Sequence, residues 1–358
     1  MDQKTMPSVD PAAGPDPAGQ PTPSSPPALA VWGGIWVLYL VWGSTYLGIA
    51  IAVETIPPFL MASIRFLVAG GILLGWSVAR EGRGFSLPSR RQVRDSAIVG
   101  TLLLGGGMGM VAVGEQTVPS GVTALFVAMM PLWVAVFGRT FLGDRLPVIV
   151  VAGIGLGLVG VVVLAWPGDA SLDGVDPLHL GAVILSPISW ALGSVFAARR
   201  ADLPRRPLLA TALQMVLGGL ALAILSLLAR EPSAFDPAAI SGASIAAFVY
   251  LTLIGSLFAF TVFAWLIQVA PLARVTTYAY VNPVVAVILG AIVLGEPITP
   301  RTIVAGGIIV VAVALIVTAR GRLPARRRTG SAAGSPADPG PAAGPPAAPA
   351  TRGIPAEP

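Results

Sequence analysis

Few side chains in this sequence are equipped for chemistry. Cysteine is absent and histidine occurs once, at His179. That excludes a disulfide framework, a thiolate metal site, a cysteine nucleophile and a multi-histidine metal centre or proton relay. No cofactor and no metal is expected. The remaining candidates are polar and aromatic groups set inside apolar stretches. Tyr39, Trp42, Gly43 and Tyr46 fall at i, i+3, i+4 and i+7, which is one face of a helix. Aromatic walls on that face can sandwich an organic substrate, with Gly43 allowing close approach. Trp42 and Gly43 sit mid-run, which counts against an interfacial aromatic belt. Ser186, Trp190 and Gly193 repeat the mixture and read equally well as helix-packing contacts. Asn282 directly precedes Pro283, whose ring frees a helical carbonyl. The pair offers hydrogen bonds to a polar substrate, with Tyr280 and Thr277 close by, and reads equally as a hinge. Pro131 is the corresponding hinge candidate, preceded by Met130 instead of Asn.

Two charges also lie in apolar surroundings. Glu115 closes the third apolar run, directly after Met110-Val111-Ala112-Val113-Gly114. A carboxylate there either accepts a proton from outside as substrate leaves, a coupling role, or rests among outer headgroups. Arg65 stands two turns into another run, and an intramembrane charge is a functional candidate by default. So near a helix start an arginine also snorkels to the surface. The favoured expectation for Arg65 is a structural anchor, with a binding role reserved for an anionic substrate. Little else basic lies at depth, which argues against phosphorylated substrates, since these need several cationic partners. Gly105-Gly106-Gly107 lacks the Lys-Ser/Thr and the strand of a phosphate loop, and marks a flexible or closely packed segment. Gly153, Gly157 and Gly160 form a small-residue face, read first as internal packing and second as a homodimer contact.

These groups must be positioned by membrane helices. Of the 358 residues, 55% are apolar and 11% are charged, against about 25% charged in a soluble domain. With a mean hydropathy of +0.81, there is too little polar surface for water on all sides. A soluble enzyme and a soluble nucleic-acid binder are excluded, so no nucleic acid is expected as a partner. The lipid bilayer and a small-molecule substrate are. Ten apolar runs are legible, at 30–53, 59–79, 96–114, 121–142, 147–166, 179–198, 208–229, 243–269, 274–294 and 302–319. Each is long enough to span. None alternates with period 2 as a barrel strand would, so the fold class is all-α, with ten transmembrane helices. If the N-terminus is cytoplasmic, seventeen arginines between Arg80 and Arg328 fall on cytoplasmic segments and only Arg230 and Arg301 on the opposite side. Both ends are therefore expected inside. Residues 1–29 and 320–358, rich in Pro, Ala and Gly, read as disordered cytoplasmic tails, the second carrying Arg326-Arg327-Arg328. Cysteines introduced at Gly82 and Leu172 should label from opposite sides.

The chain repeats itself. Pro131, Gly143 and Asp144 recur as Pro283, Gly295 and Glu296, each at an offset of 152 residues. Five helices per copy is an odd number, so the copies at 30–167 and 179–319, joined by an external linker at 168–178, enter the membrane in opposite orientations. Inverted repeats suit alternating access, with a site at midplane where the halves meet.

Trp42-Gly43-Ser44-Thr45-Tyr46, Val53-Glu54-Thr55-Ile56-Pro57-Pro58-Phe59 and Arg65-Phe66-Leu67-Val68-Ala69-Gly70 resemble the opening of an EamA-type carrier of the drug/metabolite transporter superfamily. Val118-Pro119-Ser120-Gly121, Ile188-Ser189-Trp190-Ala191-Leu192-Gly193-Ser194 and Tyr278-Ala279-Tyr280-Val281-Asn282-Pro283 are similar to its YedA-like exporters. The resemblance implies a ten-helix inner-membrane protein that moves small metabolites, amino acids or drugs, usually outward. No nucleotide-binding motif is present, so gradients would drive it. The alternatives are a facilitative uptake carrier or channel of the same fold, and a membrane-embedded enzyme. For the enzyme no His-Glu-x-x-His, Gly-x-Ser-x-Gly or paired intramembrane aspartates are found.

Overall fold

Proline and glycine set the helix limits. The computed structural model describes residues 27–321 apart from 167 and 169; both tails lie almost wholly outside the described residues, as does the Arg326-Arg327-Arg328 cluster. α1 spans Ala28–Val53, and α2 (Pro58–Glu81) begins with Pro58 in its first turn, where the missing N–H costs nothing. α3 covers Arg90–Gly114 and α4 Ser120–Leu142. α5 is Val148–Ala165, and α6 (Pro177–Arg199) is capped by Asp176, whose side chain accepts from the Leu178 N–H at 2.7 Å. α7 is Pro207–Leu228, α8 Gly242–Val269, α9 Tyr278–Leu294 and α10 Pro300–Gly321. Gly143 and Gly295, equivalent in the two copies, end α4 and α9 with φ of 67° and 68°. Only glycine adopts this left-handed cap without strain.

Among the described residues nine helices are long and apolar enough to cross a membrane, with α9 as a shorter tenth. The ninth apolar run does not become one helix. Leu272–Val275 forms a separate turn and α9 starts at Tyr278. α3, by contrast, extends past its apolar run to Arg90, started by a Ser89–Gln92 capping box. The triple glycine lies in a π-helical stretch of α3, Thr101–Gly109, and α8 carries another at Leu251–Phe258. The two are placed alike in the two halves.

Packing respects the repeat. α2 lies against α7, α4 against α9 and α5 against α10. α1 packs on α8 and α9, as α6 packs on α3 and α4; α2 touches α8, as α7 touches α3. Exchanging each helix with the one five places later leaves this pattern unchanged. Outward faces are apolar: α2 exposes Ile64, Val68, Ile72 and Trp76 at every fourth position and buries Ala62, Arg65, Phe66 and Ala69. Gly153, Gly157 and Gly160 of α5 are used internally. A Cβ on Gly153 or Gly160 would lie 2.8 Å from Ile316 Cγ1 or 2.7 Å from Ile309 Cγ1 of α10, and one on Gly157 2.6 Å from Met129 Cε of α4. That face is therefore not free for a dimer contact.

Candidate functional site

α5 and α10 pack on one another at the side of the bundle; the other eight helices enclose a cavity of about 350 Å³. α1 contributes Trp42, Thr45 and Tyr46. Trp42 is fixed on several sides. Its Nε1 donates to the Gly255 carbonyl at 3.3 Å, and its ring lies 5.3 Å from those of Phe260 and Phe263 and 4.8 Å from that of Tyr278. Trp190 of α6 lines the same cavity. The glycine run of α3 makes its place: a Cβ on Gly107 would lie 2.9 Å from the Trp190 ring, and one on Gly106 would strike Ser189. The Ser189 hydroxyl donates to the Leu102 carbonyl at 2.8 Å. The π-helical turn thus lets α6 press its aromatic side chain into the cavity.

Asn282 lines the cavity with 8% of its surface exposed, and its Oδ1 has no hydrogen-bond partner. Pro283 and Pro131 also line it, in different settings. α4 breaks into Ser120–Val127 and Met130–Leu142, so Pro131 stands in the first turn of a restarted helix. Pro283 sits inside a helix that continues to Leu289.

Arg65 corrects an expectation. It does not reach the surface but is 3% exposed and lines the cavity. Nε donates to Ser256 Oγ of α8 at 2.8 Å, and Cζ lies 4.9 Å from the Phe66 ring centroid, a cation–π contact. Glu115 is 5% exposed and both its oxygens lack a hydrogen-bond partner. It is outside the cavity wall, and Arg65, Glu296 and Tyr46 are near enough to interact with it electrostatically.

Two expected residues are not brought in. Tyr39 lies one turn nearer the helix start, covered by Leu266 and Val275, and its hydroxyl bonds Thr277 Oγ1 at 2.6 Å. Tyr280 packs against the core around Leu132 and Ile309. Of the second-repeat pair with Trp190, Ser186 is fully buried without a hydrogen-bond partner, and Gly193 packs on Leu102 and Leu103 of α3. Tyr278, Phe260 and Phe263 take the aromatic places instead. The spacing carried a signal for them: Tyr278 is four residues before Asn282, on the same face, whereas Tyr280 at two residues points away.

At one end of the bundle, carboxylates that follow α7 and α9 sit on the N-termini of α2 and α4. Glu231 accepts from the Phe59 and Leu60 N–H groups of α2 at 3.1 and 2.7 Å, and Glu296 from those of Ser120 and Gly121 of α4 at 2.7 and 3.0 Å. Each satisfies two orphan donors and the positive end of a helix dipole. Asp144, the repeat equivalent of Glu296, binds Arg199 of α6 instead, at 3.1 Å.

The profile of the EamA-like transporter family matches the chain twice, at residues 31–166 and 178–318. The chain is 40% identical over 299 residues, 83% of its length and 94% of the relative's, to a protein of Escherichia coli (strain K12) described as the uncharacterized inner membrane transporter YedA. It is 24% identical over 294 residues, 77% of its length and 90% of the relative's, to a probable amino-acid metabolite efflux pump of Salmonella typhimurium. A crystal structure covering 82% of the chain and 99% of its own superposes with a TM-score of 0.55 at 21% identity, a likeness of fold. The family and these relatives are transporters, not enzymes. Two matched repeats, a helical bundle and a central cavity make the chain a member of the EamA-like transporter family.

Proposed function

We infer that the protein is a secondary carrier that exports small organic molecules across the inner membrane by alternating access. Both termini are cytoplasmic, the repeats at 30–167 and 179–319 are inverted, and Glu115 is the proton-coupling residue. Trp42, Tyr46, Trp190 and Asn282 contact the substrate, Pro131 and Pro283 serve as hinges, and Tyr39 and Tyr280 support the wall from behind. The observation that carries the reading is the unequal closure of the α4–α9 pair. At one end Glu296 of the α9 terminus holds the start of α4. At the other, arginine-rich end the equivalent Asp144 is turned to Arg199, and the cavity extends to Ala197 and Tyr278 near that end. Exchanging which end is held is the motion that an inverted repeat provides. The amino-acid efflux description of the Salmonella typhimurium relative supports export of small metabolites.

Counterflow in proteoliposomes tests the carrier. Saturable exchange of a preloaded solute is the expected outcome, and unsaturable flux would indicate a channel. Glu115→Gln is expected to keep exchange but lose stimulation by a pH gradient, while Arg65, Glu296 and Tyr46 stay in place around it. An unchanged pH dependence removes Glu115 from the coupling.

A further inference from the structure

Arg65 is a cation without a counter-ion at contact distance. Among the described residues no carboxylate lies within 4 Å of it, and Ser256 engages only Nε. Its two Nη groups meet no protein acceptor among the described residues, and the side chain lines the cavity. A lone buried charge is costly unless paired and hydrogen-bonded, and the guanidinium fork is shaped for the two oxygens of a carboxylate. Among the described residues it is also the single basic side chain on the cavity wall, which suits one carboxylate better than a phosphate. Close to it the wall is apolar and aromatic. Gly255, whose carbonyl accepts from Trp42, would place a Cβ 3.5 Å from Arg65 Nη2, so the fork and the indole meet at the same turn of α8. On α9, Asn282 Oδ1 is a second unpartnered polar atom on this wall, free to accept from a donor.

We propose that Arg65 is the specificity-determining residue of this cavity, binding the carboxylate of an organic anion whose apolar body lies against Trp42 and whose N–H or O–H is accepted by Asn282. The proposal rests on the reading that this cavity carries the substrate. Glu115, beyond ion-pair distance, acts on Arg65 only at long range, so the fork stays available in the empty carrier.

The test uses the full-length protein in detergent, with intrinsic tryptophan fluorescence as readout, since Trp42 and Trp190 line the cavity. The probes are N-acetyl-L-phenylalanine and its neutral amide, N-acetyl-L-phenylalaninamide, alike in shape and in the acetamido N–H offered to Asn282; the amide replaces the carboxylate with an uncharged group that carries two N–H donors of its own. The wild-type protein is expected to bind the anion about tenfold or more tightly than the amide, the scale of charged hydrogen bonds lost. Arg65→Gln is expected to bind both probes alike, and Arg65→Lys to retain a preference for the anion, which also shows that the site tolerates substitution. Equal binding of the two probes by the wild type, or an unchanged preference in Arg65→Gln, overturns the proposal. So does failure of both probes to bind while counterflow of another solute persists, and that result leaves the carrier standing. Absence of counterflow for every solute, with the anion preference intact, overturns the carrier reading and leaves the carboxylate site.

Discussion

Trp42 owes its fixed position to a carbonyl on α8 and three neighbouring rings, so it presents one rigid face to the cavity. Tyr39 shares its helix stripe but is spent on Thr277. The two therefore separate by function. Trp42→Ala is expected to weaken counterflow affinity about tenfold or more, as loss of a buried aromatic anchor does, whereas Tyr39→Phe should change it by less than about twofold. Equal effects of the two would contradict the cavity wall described here. Glycines differ just as sharply from one another. A Cβ on Gly100 would press into the Gln214 carbonyl and lie 2.9 Å from the Gly218 amide, backbone of α7 that cannot step aside. Gly100→Val is thus expected to cost about 1–3 kcal/mol, read as a lower thermal unfolding midpoint in detergent. A Cβ on Gly155 meets nothing within 4 Å, so Gly155→Ala should be neutral or gain up to about 1 kcal/mol of helix propensity.

At the level of the helix, the carboxylate bridges are the working parts. Glu296 joins the end of α9 to the start of α4 through two charge-assisted hydrogen bonds, and such bonds contribute about 1.5–3 kcal/mol each. Removing them by Glu296→Ala should shift the population toward the opposite-facing state. The check is labelling of a cysteine introduced at Ser120, fully buried at that closed end, by an impermeant thiol reagent. Faster labelling in the Glu296→Ala background is the expected result, and an unchanged rate would mean that Glu296 does not hold the end shut. Glu231 makes the same type of bridge from α7 to α2, but there the other end is also tied, by Glu81 to Arg206. α2 and α7 are thus clamped at both ends, α4 and α9 at one, which makes the α4–α9 pair the one free to move.

The whole molecule is a symmetric pairing of helices seen in an asymmetric state. The inverted topology proposed for it is testable because the chain lacks cysteine. The structure refines where the probes belong. Gly82 has φ 51°, a conformation that strains any side chain, and Leu172 is partly packed against the core. Gly84 and Asp173 are exposed, and a Cβ on Gly84 meets nothing within 4 Å. Gly84→Cys and Asp173→Cys should label from opposite faces of sealed vesicles. Labelling of both from one face would remove the inverted arrangement and the alternating-access mechanism with it.

Helix number, class and repeat were legible in the residues themselves, because length, apolar content and the 152-residue echo of Pro131 and Gly143 in Pro283 and Gly295 are properties of short local stretches. Trp42, Tyr46, Trp190 and Asn282 were also legible as cavity residues, since a polar or aromatic group mid-span stands out against its surroundings. Which side of each helix meets the cavity was not. That depends on rotation about the helix axis, which is set by backbone contacts such as Gly100 against Gln214 and by the π-helical turns of α3 and α8 that shift the facing register. Tertiary packing therefore decided that Tyr278 replaces Tyr280, that Arg65 turns inward, and that Glu231 and Glu296 leave their loops to cap helices of the other repeat. A local pattern encodes how much of a segment must avoid water, while the choice of neighbour arises only when all ten segments compete for the same interior.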